Sequence, residues 1–489
     1  MSRYDSLPRS SFDAETKDRP RGRRYPSIFA LLRKMRRVCR PLYVVVGMCV
    51  FLFWQITFNA SYTTPPPFTI PSNETVFIAA NIIDGDLMTG PWGASLKALV
   101  DLIGEERVFV SIYGGPPTAL AELDSQLSCN RSLVAEEKEP IALKDIPHTL
   151  LPTGEERIKR IAYLAEVRNK ALEPLQKSNT HYDKILFVND VFFEPMGAAR
   201  LLWGTNVNEH GKAEYKAVCG TDFVTSWKYY DTFATRDLGG YSIGVPIFPW
   251  FGNEGEAISR KDVLAGSDAV RVKSCWGGMT AFDAKYFTMG GMEISPASGT
   301  ATQLPSLPLR FRSEPEPFWD SSECCLIHAD IMSLPDASMP SSEHDTGIYM
   351  NPYVRVAYDA RSFANIPFAK RFERLFAPLQ AIITPLAHLP RFNTRRTEKE
   401  GEVIKDRLWV SVKGQVIRAL DKRATLGSEG SWGEWEKRGH YEDFDRVANR
   451  GGYCGVRQLL VLKEGPLQEG EGNWDNLLNQ VPPLEEPGR

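Results

Sequence analysis

The residue with the clearest chemical promise is Asp190, which follows Asn189 at the end of the apolar run Ile185-Leu-Phe-Val188. A carboxylate at the C-terminal end of a buried strand can hold a divalent cation that also touches a substrate phosphate. Arg168 carries a fork of N–H donors suited to phosphate oxygens. His328 and Asp330 could complete the coordination of a cation held by Asp190. Asn81, Asn169 and Asn189, with Arg168, are read as contacts to the phosphate or sugar of a donor. Asp222 and Asp237 are the candidate catalytic carboxylates, placed to orient hydroxyls of donor or acceptor. Trp227, Tyr230 and Trp276 offer rings on which a sugar can stack. These parts suit transfer of a glycosyl group from a diphosphate, whose departing charge a cation and a guanidinium stabilise. Each residue also has a plain structural use. Arg168 could pair with Glu166 or Glu173 on its own helix, and His328 could be a core histidine. Asp222 could cap a turn, and the aromatic rings could be core.

The elements that must position these residues read as an α/β fold. Apolar runs at 75–81, 107–113, 184–188 and 215–223 have the length and composition of buried strands. Trp92, Leu96, Leu99, Val100 and Ile103 recur at helical spacing, and Gly104 closes that helix. A second helical pattern covers 155–176 and carries Arg168-Asn169. Residues 272–282 read as a strand containing a glycine pair, and 323–331 as a last strand. Neither a GxGxxG nor a GxxxxGK[ST] pattern occurs, so neither a dinucleotide-type nor a P-loop fold is indicated.

Charge is distributed unevenly along the 489 residues. Residues 1–40 hold twelve Lys/Arg against four Asp/Glu, residues 41–58 hold no charge, and the remainder is acidic. A basic arm, an apolar run and an acidic body fit a membrane topology and argue against nucleic acid as a partner. The run at 41–58 is long enough for one thin bilayer crossing, and Arg33, Lys34, Arg36, Arg37 and Arg40 precede it. The positive-inside rule then puts the body on the lumenal side. The expected order is a basic cytosolic tail (1–40), a signal anchor (41–58) and a proline-rich stem (59–75). A transferase domain (76–360) and a partly disordered C-terminal extension (361–489) follow. A short helix is expected near 27–38. Asn73 and Asn130 head N-glycosylation sequons, in keeping with a lumenal body. Six cysteines follow the apolar run, and their spacing leaves every disulfide pairing open.

Six ordered blocks carry a family resemblance: RIAYLAEVRNKAL, KILFVNDVFF, AVCGTDF, YYDTFATRD, CWGGMTAF and SECCLIHAD. Together they resemble the fungal capsule-associated protein and α-1,3-mannosyltransferase family, glycosyltransferase family 69. The resemblance runs from about Val76 to Tyr358. It implies a GT-A-like nucleotide-sugar domain with a mixed, mostly parallel sheet, in a single-pass type II Golgi membrane protein. It further implies GDP-mannose as donor, a mannose-containing glycan as acceptor, a divalent cation such as Mn²⁺, and retention at the anomeric carbon. Where GT-A enzymes commonly carry Asp-x-Asp, this chain reads Val188-Asn189-Asp190, keeping the final carboxylate.

Overall fold

A computed structural model describes residues 28–152, 154–177, 180–288, 304–336, 338–339, 341–411, 439–463 and 472–480. It resolves into two compact units, Met1–Phe58 and Asn59–Arg489. The first is a single helix, α1 (Ile28–Phe58), longer than the short helix expected at 27–38. Its Pro41–Phe58 stretch is long and apolar enough to cross a membrane. The remaining tail residues, 1–27, lie outside the described residues.

The second unit is built on a sheet of ten strands among the described residues. These are β1 (Val76–Ala80), β2 (Val108–Tyr113), β3 (Asn130–Val134), β4 (Lys184–Val188) and β5 (Ala217–Thr225). After them come β6 (Lys228–Tyr229), β7 (Arg236–Asp237), β8 (Val270–Ser274), β9 (Met279–Asp283) and β10 (Ile348–Ala357). The spatial order is β3-β2-β1-β4-β9-β5-β10-β8-β7, with β6 paired to β5. β1, β2, β3 and β4 are mutually parallel, and β5 is parallel to β10. Only β6, β8 and β9 run against the prevailing direction. The class is therefore the expected α/β one, with a mixed and mostly parallel sheet.

Val76–Ala80 and Ile185–Val188 at the centre of the sheet are apolar because both faces are covered. Phe77, Ala79, Ile185 and Phe187 enter one core, where helix α3 (Arg160–Lys177) contributes Ala165, Leu172 and Leu175. Their neighbours Ile78, Ala80, Leu186 and Val188 enter the other. There α2 (Pro91–Ile103) brings Trp92, Leu96 and Leu99, and α4 (Pro195–Trp203) brings Leu201 and Leu202. A one-residue slip would send each side chain to the wrong face, so the cores fix the register.

Three elements differ from the sequence expectation. The helix expected from 155 begins at Arg160, because Glu156–Ile158 pairs with His148–Leu150 as a short ribbon. The strand expected over 272–282 is two strands, β8 and β9, because Gly277 and Gly278 both adopt left-handed backbone angles, φ 56° and 68°. The strand expected over 323–331 is helix α5 (Glu323–Ser333). Every residue from Glu323 to Ile331 is buried, so the stretch has no polar face to reveal a helical period.

The stem and the extension are also integrated. Ser61 and Tyr62 are buried, and Arg107 donates to the carbonyl of Pro71. Beyond 360, Gly455-Val456 pairs with Asp320-Ser321, and a disulfide joins Cys325 to Cys454. The second disulfide is Cys219–Cys275. Cys129 and Cys324 remain free and buried. Residues 412–438, 464–471 and 481–489 of the extension lie outside the described residues. Asn73 and Asn130 are both exposed.

Candidate active site

The organising feature is the turn Cys275-Trp276-Gly277-Gly278 between β8 and β9. Its tightness demands glycine: a Cβ on Gly277 would lie 2.1 Å from the carbonyl oxygen of Gly220. The Cys219–Cys275 disulfide ties the turn to β5. The Asn189 N–H donates to the Gly278 carbonyl at 2.9 Å, joining the turn to the end of β4. The Trp276 indole N–H donates to Asn189 Oδ1 at 3.1 Å. From another side, Asp231 Oδ2 accepts the N–H groups of Trp276 at 3.0 Å and Gly277 at 3.3 Å.

Asp190 follows this anchored Asn189 and is exposed. Desolvation by the protein beside it raises its pKa, as does the Asp84 charge, whereas Arg168 lowers it. Arg168 and Asp84 are thus the charges acting on Asp190. Arg168 lies with its guanidinium carbon 4.3 Å from the centre of the Trp276 ring, and its Nε donates to Glu323 at 3.0 Å. Its partner is therefore Glu323 of α5 rather than Glu166 or Glu173 of its own helix. The terminal nitrogens of Arg168 have no hydrogen-bond partner among the described residues. Asn81 continues β1 beside Asn189, since Ala80 pairs with Val188. Its amide nitrogen donates to the carbonyls of Tyr113 and Val167, while its buried Oδ1 has no partner.

Tyr230 is exposed and packs on Tyr358, with ring centres 4.5 Å apart. The Tyr358 hydroxyl donates to Asp222 Oδ2 at 2.9 Å, and the Asp231 N–H donates to Asp222 Oδ1 at 3.0 Å. Burial, then the neighbouring Asp231 charge, pushes the Asp222 carboxyl up to about 8.

The sequence candidates divide accordingly. Asn81, Arg168, Asn189, Asp190, Tyr230 and Trp276 are brought together around the end of β4 and the glycine turn. Trp276 is buried beneath Arg168 and supports it, so its ring is not a free sugar platform. Asp222 adjoins the turn but is 1% exposed, with both oxygens engaged by protein donors, so it acts on Tyr358 and Asp231 rather than on a ligand. Asn169 is taken up structurally: its amide exchanges two hydrogen bonds with the Phe311 backbone, each 2.9 Å. Asp237 lies on β7 at the far edge of the sheet and accepts the Tyr241 N–H at 2.7 Å. Its burial pushes its carboxyl up to about 7. Trp227 packs edge-on against Phe368 and Phe376, away from the turn.

His328 and Asp330 do not join Asp190 in a metal site. Among the described residues, no group of three or more His, Cys, Asp or Glu side chains is placed to hold a metal ion. His328 is fully buried, stacks on Phe282, and has Nδ1 at 2.7 Å from the Cys324 carbonyl. Burial pulls its pKa down to about 4. Asp330 is paired with Arg312 at 2.8 Å. Helical rather than extended backbone at 323–331 is the reason: α5 turns these side chains into the core.

Sequence reasoning missed Asp231, Glu323 and Tyr358 as parts of the site. Asp231 and Glu323 stood within recognised blocks, YYDTFATRD and SECCLIHAD. Tyr358 stands at the end of the stretch that carries the resemblance, and it reaches Asp222 because β10 pairs with β5.

The candidate site is thus an exposed carboxylate and a side-chain amide at a strand end of a mostly parallel α/β sheet, with an arginine of the covering helix close by. Residues 75–330 match the family described as Cryptococcal mannosyltransferase 1. The chain belongs to this family, and with it to the glycosyltransferases. No curated protein matches it. Among solved structures it is similar to glucosyl-3-phosphoglycerate synthase from Mycobacterium tuberculosis in complex with Mn²⁺, UDP and phosphoglyceric acid. There the identity is 13%, covering 71% of this chain and 89% of that chain, with a TM-score of 0.30. The same enzyme with Mn²⁺, UDP and glucosyl-3-phosphoglycerate gives 13% identity, 71% and 90% coverage, and a TM-score of 0.31.

Proposed function

We propose that the protein transfers mannose from GDP-mannose to a mannose-containing glycan, forming an α-1,3 link with retention and using a divalent cation such as Mn²⁺. The observation that carries the reading is the influence of the Arg168 charge on Asp190. An arginine with open terminal donors, stacked on Trp276, stands where its charge acts on an exposed carboxylate at a strand end.

In this reading Arg168 binds the diphosphate and Glu323 and Trp276 fix its direction. Asp190, the exposed oxygen donor of the site, would hold the cation with the diphosphate supplying further oxygens, a donor set that suits a hard cation. When bound, the cation would neutralise charge developing on the leaving diphosphate. The unpartnered Asn81 Oδ1 is an acceptor suited to a donor hydroxyl or a bound water. Tyr230 offers its exposed ring to a sugar. Retention through departure and attack on one face agrees with the state of Asp222, whose oxygens are both engaged and which is therefore a poor nucleophile. In the cell, α1 anchors a lumenal catalytic body in the Golgi membrane as a type II protein.

The test is a panel of nucleotide-sugars presented to the full chain in detergent with Mn²⁺ and mannose-containing acceptors. GDP-mannose alone should support transfer, and linkage analysis should give an α-1,3 product. Transfer from another nucleotide-sugar in preference to GDP-mannose would overturn the donor assignment.

A further inference from the structure

Helix α6 (Ala360–Ala369) is followed by α7 (Phe376–Leu386), whose polarity is inverted for a protein surface. Its buried residues are polar. Gln380 donates to the carbonyls of Trp250 and Phe251, each at 3.2 Å, and accepts from Arg260. Thr384 accepts the Val245 N–H at 3.2 Å. Its outward residues are apolar: Leu379, Ile382 and Leu386 are 47%, 62% and 73% exposed, and Leu375 continues the row. The spacing 375, 379, 382, 386 places them on one face. The helix holds no charged residue, while Arg371, Arg374 and Arg391 flank it. Phe368 and Phe392 add exposed rings nearby. Water does not favour such an arrangement, and a contiguous exposed apolar patch marks an interaction surface.

The start of the body indicates what covers the patch. The Ser61 N–H donates to the Lys370 carbonyl at 2.9 Å, and the Ser61 hydroxyl donates to Glu373. Tyr62 packs on Tyr353 with ring centres 4.8 Å apart. Only Asn59 and Ala60 separate Ser61 from Phe58, the last residue of the stretch able to cross a membrane. Three Cα steps reach at most ~11 Å. The chain is therefore pinned immediately before α7 within that distance of the membrane boundary. At ~1.5 Å per residue α7 is ~16 Å long, too short to cross a bilayer of ~30 Å but suited to lying in its surface.

We propose that α7 is an interfacial membrane helix, with Leu375, Leu379, Ile382 and Leu386 seated among lipid acyl chains and the flanking arginines among headgroups. The inference rests on the reading of Pro41–Phe58 as a membrane anchor.

The test uses the full chain in phosphatidylcholine vesicles doped with a phosphatidylcholine bearing an acyl-chain diazirine. After photolysis, lipid adducts are mapped by peptide mass spectrometry. Adducts are expected both within 41–58 and within 375–386. The double variant Leu379→Asp/Ile382→Asp should reduce adducts at 375–386 at least about tenfold. It should leave those at 41–58 and the melting temperature unchanged, because both side chains are exposed. Adducts confined to 41–58 would overturn the proposal, as would adducts at 375–386 that survive the double variant. Inter-copy cross-links through 375–386 without lipid adducts would overturn it in favour of self-association. Loss of adducts at 41–58 would instead overturn the anchor reading.

Discussion

Trp276 donates its indole N–H to Asn189 Oδ1 at 3.1 Å, and the same ring lies 4.3 Å beneath the Arg168 guanidinium carbon. One side chain thus sets both the residue before Asp190 and the cation facing it. Trp276→Phe keeps an aromatic ring under Arg168 but removes the donor. An acceptor left without its partner costs ~1–3 kcal/mol. Sugar transfer should fall about tenfold, with a lower melting temperature, both measurable on the purified variant.

Arg168 separates charge from shape. Arg168→Lys retains a positive charge but loses the planar fork and the stacking on Trp276. Its kcat/KM should fall about as far as that of Arg168→Ala, roughly a hundredfold. Glu323→Gln keeps an acceptor for Arg168 Nε without the charge, and should cost about tenfold. A lysine variant with nearly full activity would show that charge alone matters at this position.

Asp190 is exposed, so Asp190→Asn should not change thermal unfolding. In the wild type, divalent cation should tighten GDP binding measured by calorimetry. In the variant that tightening should disappear, and transfer should drop at least about a hundredfold. Unaltered cation-dependent GDP binding would remove Asp190 from the metal role.

Gly277 has φ 56°, and a Cβ there would meet the Gly220 carbonyl oxygen at 2.1 Å. Backbone must move to admit even a methyl group. Gly277→Ala should therefore destabilise by a few kcal/mol and perturb Asn189 through the Gly278 contact. Differential scanning of the variant measures the first effect, and loss of transfer the second.

Much of the sheet was legible because its strands are buried on both faces. Val76–Ala80 and Ile185–Val188 are uninterrupted apolar runs, and each is followed by an asparagine that the ladder sets beside the other. The same evenness hid α5, where Cys324 to Ile331 are all buried and period is erased. That one misreading moved His328 and Asp330 into an imagined metal site. Asp190 and Arg168 were legible from type and position. Glu323 as the Arg168 partner was not, because 155 residues separate the two. Tyr358 and Asp222 meet only through a pairing between β5 and β10 that no local pattern predicts.

Asp222 sets a direction for pH dependence. Its native carboxyl is pushed up to about 8, by burial first and then by Asp231, while an unfolded aspartate titrates near ~4. Between these values the native protein binds a proton that the unfolded chain does not. Stability contributed by this group is therefore complete below about pH 4 and declines as pH rises toward 8, by up to ~1.4 kcal/mol per pH unit. Asp237, raised to about 7, acts in the same direction but does not depend on the Asp222 side chain. Asp222→Asn has no proton to lose; its amide oxygen can accept the Asp231 N–H while its NH2 donates to the Tyr358 hydroxyl oxygen. Its melting temperature should fall less than that of the wild type between pH 5 and pH 8. Parallel pH curves for the two proteins would mean that Asp222 is ionised in the native state, and that Tyr358 donates to a carboxylate at neutral pH.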